Sequence, residues 1–166
     1  MMDDRNTLFS QQTFAQAIEL IWREAELLDR KDYHEWLSLW DPAGFYVVPI
    51  EHDATDFAAT LNYAYDDQHM REMRVQRMTS GYSASASDAA RTVRTVSRFT
   101  LTSDTSDEVE VNASQIIVAY KRGQPTLFAA DLTHRISFAS GEPRIAQKVI
   151  RLIDSTEALS AIGFLL

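Results

Sequence analysis

The side chains able to do chemistry here are carboxylates, histidines, tyrosines and arginines, because cysteine is absent from the 166 residues. That absence removes thiolate nucleophiles, disulfides, cysteine-ligated zinc and any iron–sulfur cluster held by the chain's own thiolates. The nearest approach to a metal motif is Asp131-Leu132-Thr133-His134, which has the carboxylate-to-histidine spacing of part of a non-haem iron site. Such a site takes two histidines and a carboxylate, and Ala139 stands where the second histidine would be wanted. No metal ligand set is expected. His134 sits among apolar strand residues and reads as a hydrogen-bonded core histidine rather than a base. Arg71, Arg74 and Arg77 recur three apart on one broad helix face. Arg74 and Arg77 fit either a solvated face or ion pairs, within the chain or across an interface. The apolar run at 161–166, with Phe164, Leu165 and Leu166, favours association, since burying each such side chain is worth ~1.5–3 kcal/mol.

The elements that must position these groups follow from periodicity. Residues 1–12 are polar and read as a flexible arm, ahead of a single domain over 13–166. Thr13 with Gln16 offers a capping box to a helix running to about Arg30. In that helix Phe14, Ile18, Ile21, Ala25 and Leu28 form the apolar stripe, opposite Glu19, Arg23, Glu26 and Arg30. Asp32 caps a short second helix whose aromatic face is Tyr33, Trp36, Leu37 and Trp40. Asp41-Pro42-Ala43-Gly44 is a turn by composition, a strand follows at 45–50, and the polar stretch 51–62 reads as a long loop. Asp66 or Asp67 caps a third helix through about Met78, and 81–90 is a small-residue loop.

From Arg91 the period drops to two, the signature of antiparallel strands. Val93, Thr95, Ser97, Phe99 and Leu101 are expected to share one face of the first. A second strand spans about 109–121. In the third, Phe128, Ala130, Leu132, His134, Ile136 and Phe138 alternate with polar residues, and the last strand covers 144–153. Helices first and a strand meander afterwards give an α+β layout, with the helices covering one face of a curved sheet.

The net charge of −8, with dispersed lysines and arginines, is unsuited to nucleic acid or anionic membranes. No apolar stretch reaches the ~20 residues of a membrane span, and the first residues lack a signal-peptide pattern. A cytoplasmic location is expected.

Several strings carry a family resemblance in their order and spacing. They are Glu24-Ala25-Glu26-Leu27-Leu28-Asp29 followed by Tyr33, Trp36 and Leu37; Tyr46-Val47-Val48-Pro49-Ile50; and Tyr65-Asp66-Asp67 followed by Arg74-Val75-Gln76-Arg77. Arg91 and Val96-Ser97 complete the series. Together, from about Gln12 onward, they resemble the small (beta) subunits of aromatic-ring-hydroxylating dioxygenases, the Rieske non-haem iron oxygenases. Two departures leave the substrate group open: Asp88-Ala89-Ala90 precedes Arg91 where the family has prolines and a serine, and Arg98 replaces an asparagine.

The resemblance implies a cone-shaped curved antiparallel sheet covered by N-terminal helices, the cystatin-like cone of scytalone dehydratase and nuclear transport factor 2. It implies a non-catalytic subunit in aromatic compound catabolism, trimeric, stacked on a trimer of large (alpha) subunits as alpha3beta3. The large subunit would carry the Rieske [2Fe-2S] cluster and the mononuclear non-haem iron, leaving no cofactor to this chain. Arg74, Arg77 and Phe164 to Leu166 are then candidate interface residues. The same cone also houses stand-alone enzymes, so fold alone leaves function open. Asp29-Arg30-Lys31-Asp32-Tyr33 resembles the aspartate-bearing helix junction of scytalone dehydratase, which makes Asp29 a candidate general base with Tyr46 and His134 as pocket partners. A base poised near neutrality would need its pKa lifted by about three units, or ~4 kcal/mol. An aspartate at a helix junction is also an ordinary cap.

Overall fold

The computed structural model describes residues 4–80, 89–157 and 162–166, with side chains from residue 10 onward. Helix α1 (Asp4–Arg30) is longer than its capping box suggests. The expected arm is helical from Asp4, and Thr13 lies inside the helix, where its hydroxyl donates to the Ser10 carbonyl at 3.1 Å. The buried stripe runs through Ala17, Leu20, Ile21, Glu24, Leu27 and Leu28, so a carboxylate stands at its centre. Helix α2 (Tyr33–Ser38) buries Tyr33 and Trp36. Helix α3 (Gln68–Thr79) begins where expected, with the Asp67 side chain accepting from Met70 N at 2.9 Å.

The strands are β1 (Trp40–Pro49), β2 (Asn62–Asp66), β3 (Arg91–Asp104), β4 (Glu108–Lys121), β5 (Gln124–Ser137) and β6 (Arg144–Leu152). They form one 6-stranded sheet in the order β2-β1-β6-β5-β4-β3. Every pair is antiparallel except β1 with β6, which run parallel. The sheet is therefore mixed at one seam, because β1 enters from the helical half and returns beside the last strand. β1 starts at Trp40 rather than Phe45. The expected turn is a bulge within it: the register against β6 jumps between Trp40 and Phe45, and Asp41 Oδ1 accepts from Ala43 N at 2.9 Å. β2, short and half polar, gave no periodic signal; Phe45 and Tyr65 stack across it with ring centroids 4.9 Å apart.

β3 corrects one expectation about facing. Val93, Thr95 and Ser97 point outward, while Thr92, Arg94 and Val96 are buried. The facing reverses at Arg98, which sits at φ 58 in a bulge where the register slips between Ser97 and Thr100. Only beyond that bulge do Phe99 and Leu101 join the core. A single-residue slip inverts the facing of all that follows. The loop expected over 81–90 lies, except for its last two residues, outside the described residues.

The helices pack on the concave face, and α1 crosses β3 and β4 to close the cone. Trp36, Trp40 and Tyr46 meet edge to face at its narrow end, with Trp36 and Trp40 centroids 5.4 Å apart. Gly44 is required at the bulge, since a Cβ there would sit 2.7 Å from the Ile145 carbonyl oxygen and 3.0 Å from that of Asp41. Both obstacles are backbone and cannot swing aside. Gly44→Ala is expected to cost about 1–3 kcal/mol in urea unfolding, with an unchanged midpoint as the contrary result.

Candidate functional site

The interior of the cone holds a cluster of charges. Glu24 of α1 is buried, and its Oε1 accepts from Trp36 Nε1 and from Lys148 Nζ of β6, each at 3.0 Å. Its Oε2 lies 3.0 Å from His134 Nε2 of β5. Burial alone would raise the Glu24 pKa, but Lys148, His134 and Trp36 outweigh it and hold the carboxyl at about 2. With Glu24 ionised, His134 carries its proton on Nε2 and donates it. His134 is held below its ordinary range by burial, against the pull of Glu24. Lys148 is lowered by burial too, again opposed by Glu24.

The tail completes the cluster. The Leu166 carbonyl accepts from Lys148 Nζ at 2.8 Å, and Leu166 N donates to the Tyr46 hydroxyl at 3.0 Å. Burial pushes the Tyr46 phenol well up, so it stays neutral. The tail thus links two of the pocket candidates, Tyr46 and His134, through Lys148 and Glu24.

Asp29 is held elsewhere. Its Oδ1 accepts from Thr92 Oγ1 at 2.9 Å and from Arg94 Nη1, and its Oδ2 accepts from Arg94 N at 2.8 Å. Arg94 in turn donates from Nη2 to the Leu165 carbonyl. Both oxygens of the candidate base are therefore engaged in tying α1 to β3. Leu165 and Leu166 are 2% and 4% exposed in the single chain, so the cover expected from neighbouring copies is provided by the cone itself. Phe164 packs edge to face on Phe128, centroids 5.4 Å apart.

Two arginines of α3, Arg71 and Arg74, also turn inward, while Arg77 is exposed. Arg74 forms a bidentate pair with the buried Asp66 through Nε at 2.6 Å and Nη2 at 3.0 Å. Arg71, fully buried, lies over the Trp40 ring at 4.3 Å and donates to the backbone carbonyls of Gly44, Asp66 and Asp41. Arg77 has interactions of its own. Between α3, β1, β2, β6 and the tail lies a cavity of about 230 Å3, lined in part by Tyr46, Val48, Arg74 and Leu152.

Neither iron group of the oxygenases fits the residues here. A Rieske cluster needs cysteine thiolates, which the chain lacks. Among the described residues no three histidine or acidic side chains gather into a ligand set. Asp131 and His134 diverge: Asp131 meets Arg98 at 2.8 Å and His52 at 3.5 Å, while His134 points to Glu24 inside.

The family model of the ring hydroxylating beta subunit matches residues 23–157. The chain belongs to that family. The small oxygenase component of the p-cumate 2,3-dioxygenase system of Pseudomonas putida is 27% identical over 157 residues, spanning 91% of this chain and 84% of the relative. The beta subunit of benzoate 1,2-dioxygenase from Burkholderia mallei superposes with a TM-score of 0.73 at 20% identity, over 91% of this chain and 96% of that one. The fold extends to enzymes. A type 2 hexachlorocyclohexane dehydrochlorinase superposes with a TM-score of 0.63 at 12% identity, over 91% of this chain and 90% of that one.

As a beta subunit the chain belongs to oxygenase complexes without being their catalytic part. Its sequence did not announce Glu24, Lys148 or Arg94 as interior residues, because buried charges break the apolar period that marks a core. Their one legible sign was Glu24 lying in line with Ala17, Leu20 and Leu27 on α1. The convex face of the sheet shows what the interior lacks. Val93, Val118 and Leu127 form a cross-strand row, 68%, 41% and 67% exposed, flanked by Ile116 and Tyr120.

The cluster makes stability depend on pH. Because Glu24 is held low in the folded chain, its contribution is complete above about pH 4.5 and is lost as the pH falls through about 2. His134, also held low, resists protonation that the unfolded chain accepts below about 6.5, so acidification there favours unfolding as well. Glu24→Gln leaves Lys148 buried without its counter-ion and is expected to cost about 3–5 kcal/mol at neutral pH. Urea titrations from pH 7 down to 3 should show the wild-type advantage shrinking below 4.5; an advantage constant with pH would exclude Glu24 as its source.

Proposed function

We propose that this chain is the non-catalytic scaffold of a ring-hydroxylating oxygenase, assembled in the cytoplasm with an iron-bearing large subunit as alpha3beta3 around a homotrimer of itself. The large subunit supplies the Rieske cluster and the mononuclear iron, and this chain supplies a rigid cone. The observation that carries the reading is the self-neutralised interior. Glu24 is saturated by Trp36, Lys148 and His134, and Asp29 by Thr92 and Arg94, so neither carboxylate is available as a base. The apolar row of Val93, Val118 and Leu127 supports association, since so contiguous an apolar face on a sheet marks an interaction surface. Arg74 and Phe164 to Leu166 then act from behind an interface, holding the shape of the cone that the partner meets, and the exposed Arg77 stays a candidate contact residue.

Two outcomes test this. Co-expressed with its large subunit, the chain should co-purify with it and with iron, and Val118→Glu with Leu127→Glu should abolish that recovery while the variant alone melts as the wild type does. A complex of unchanged mass would remove the convex face from the assembly. In the intact oxygenase, Asp29→Asn should leave turnover per iron within about twofold, because both oxygens of Asp29 are already committed to Thr92 and Arg94. A large loss of turnover with assembly and iron content unchanged would instead give Asp29 a part in the chemistry.

A further inference from the structure

The cavity beneath the tail has features that the scaffold role does not require. Its volume of about 230 Å3 exceeds the ~150 Å3 that suffices to hold a benzene ring in an apolar cavity. Val48, Ala64, Leu152, Ile162 and Phe164 provide apolar wall, and among the described lining residues the polar side chains are the two tyrosines and Arg74. Tyr63 commits its hydroxyl proton to the Ser155 carbonyl at 2.5 Å. Tyr46 differs: its oxygen accepts from Leu166 N at 3.0 Å, and that bond does not use its proton. Arg74 commits Nε and Nη2 to Asp66, which leaves Nη1 outside the pair. Two side-chain donors, the Tyr46 hydroxyl and Arg74 Nη1, are therefore left over by these bonds at the cavity.

Charge narrows the ligand further. Arg74 is already neutralised by Asp66, whose side chain is 1% exposed. A carboxylate entering here would bring a second negative charge to one guanidinium, with apolar walls around it, which disfavours the charged ligand. A neutral acceptor oxygen takes the same donors without that cost. We propose that this cavity is a binding site for a single aromatic ring bearing one neutral acceptor oxygen, such as an aryl ketone, aldehyde or amide, with the oxygen toward Tyr46 and Arg74 and the ring against Phe164 and Leu152. The site goes beyond the scaffold reading, since its described lining comes from this one chain.

The test is a binding titration of the full chain, by calorimetry or ligand-observed NMR, with acetophenone, toluene and benzoate. Acetophenone should bind about tenfold more tightly than toluene, the worth of one well-made hydrogen bond, and benzoate more weakly than acetophenone. Tyr46→Phe should bring acetophenone down to the affinity of toluene and leave toluene unchanged. Ala64→Leu, which grows a side chain into the cavity, should abolish binding of both, with thermal melts reporting that the variants are folded. Should Tyr46→Phe fail to fold through loss of its bond to Leu166, the wild-type ranking and Ala64→Leu decide the matter. Equal affinity for toluene and acetophenone, benzoate as the tightest ligand, binding that survives Ala64→Leu, or no binding at millimolar ligand would each overturn the proposal and leave the cavity a packing void.

Discussion

One buried carboxylate sets the terms for the rest of this cone. Glu24 stands in the middle of the apolar stripe of α1, where an isolated ionised group would be untenable, and it persists because three donors from three elements converge on it. Trp36 fixes α2 against α1, His134 fixes β5, and Lys148 fixes β6. A core of leucines could slide by a helical turn at small cost, whereas a charge that must meet three partners within hydrogen-bond distance admits one register. The helical layer is therefore tied to the sheet by direction as well as by area.

The tail belongs to the same system. Lys148 has donors to spare after Glu24, and the Leu166 carbonyl takes one of them; Arg94 has donors to spare after Asp29, and the Leu165 carbonyl takes another. Each ion pair thus finishes its hydrogen bonding with a backbone oxygen of the tail, which enters the cone as an acceptor as well as an apolar plug. Leu165 and Leu166 are consequently buried without any neighbour, while Val93, Val118 and Leu127 form an exposed apolar row across β3, β4 and β5.

How far the sequence disclosed this depends on which residues carried a period. The α3 cap at Asp67, the alternation of β5 and the aromatic face of α2 were legible because the pattern and the structure share a cause, one side buried and one side wet. Three features were not. β2 is five residues long and half polar, too short for a period to emerge. The facing of β3 turns on a single residue, Arg98, whose left-handed backbone reverses the alternation partway along the strand; reading the strand from Phe99 and Leu101 backward assigns Val93 to the wrong side. Glu24, Arg94 and Lys148 were invisible for the opposite reason, since side-chain charge argues for solvent until its charged partners, 65 to 124 residues away, are in place. The resemblance to oxygenase beta subunits supplied the fold and family where periodicity could not, but it could not say which surface the tail would cover.

The contrast with enzymes of the same fold follows from that pairing. To move a proton, a cone needs a base whose lone pair faces a substrate and room for the substrate beside it. Here Glu24 and Asp29 fail the first condition, because every oxygen of both already receives a donor from the protein. Making either available would strand a lysine or an arginine in the same interior, a penalty of several kcal/mol before any substrate arrives. The same contacts that tie the helices to the sheet therefore withdraw both carboxylates from acid–base chemistry.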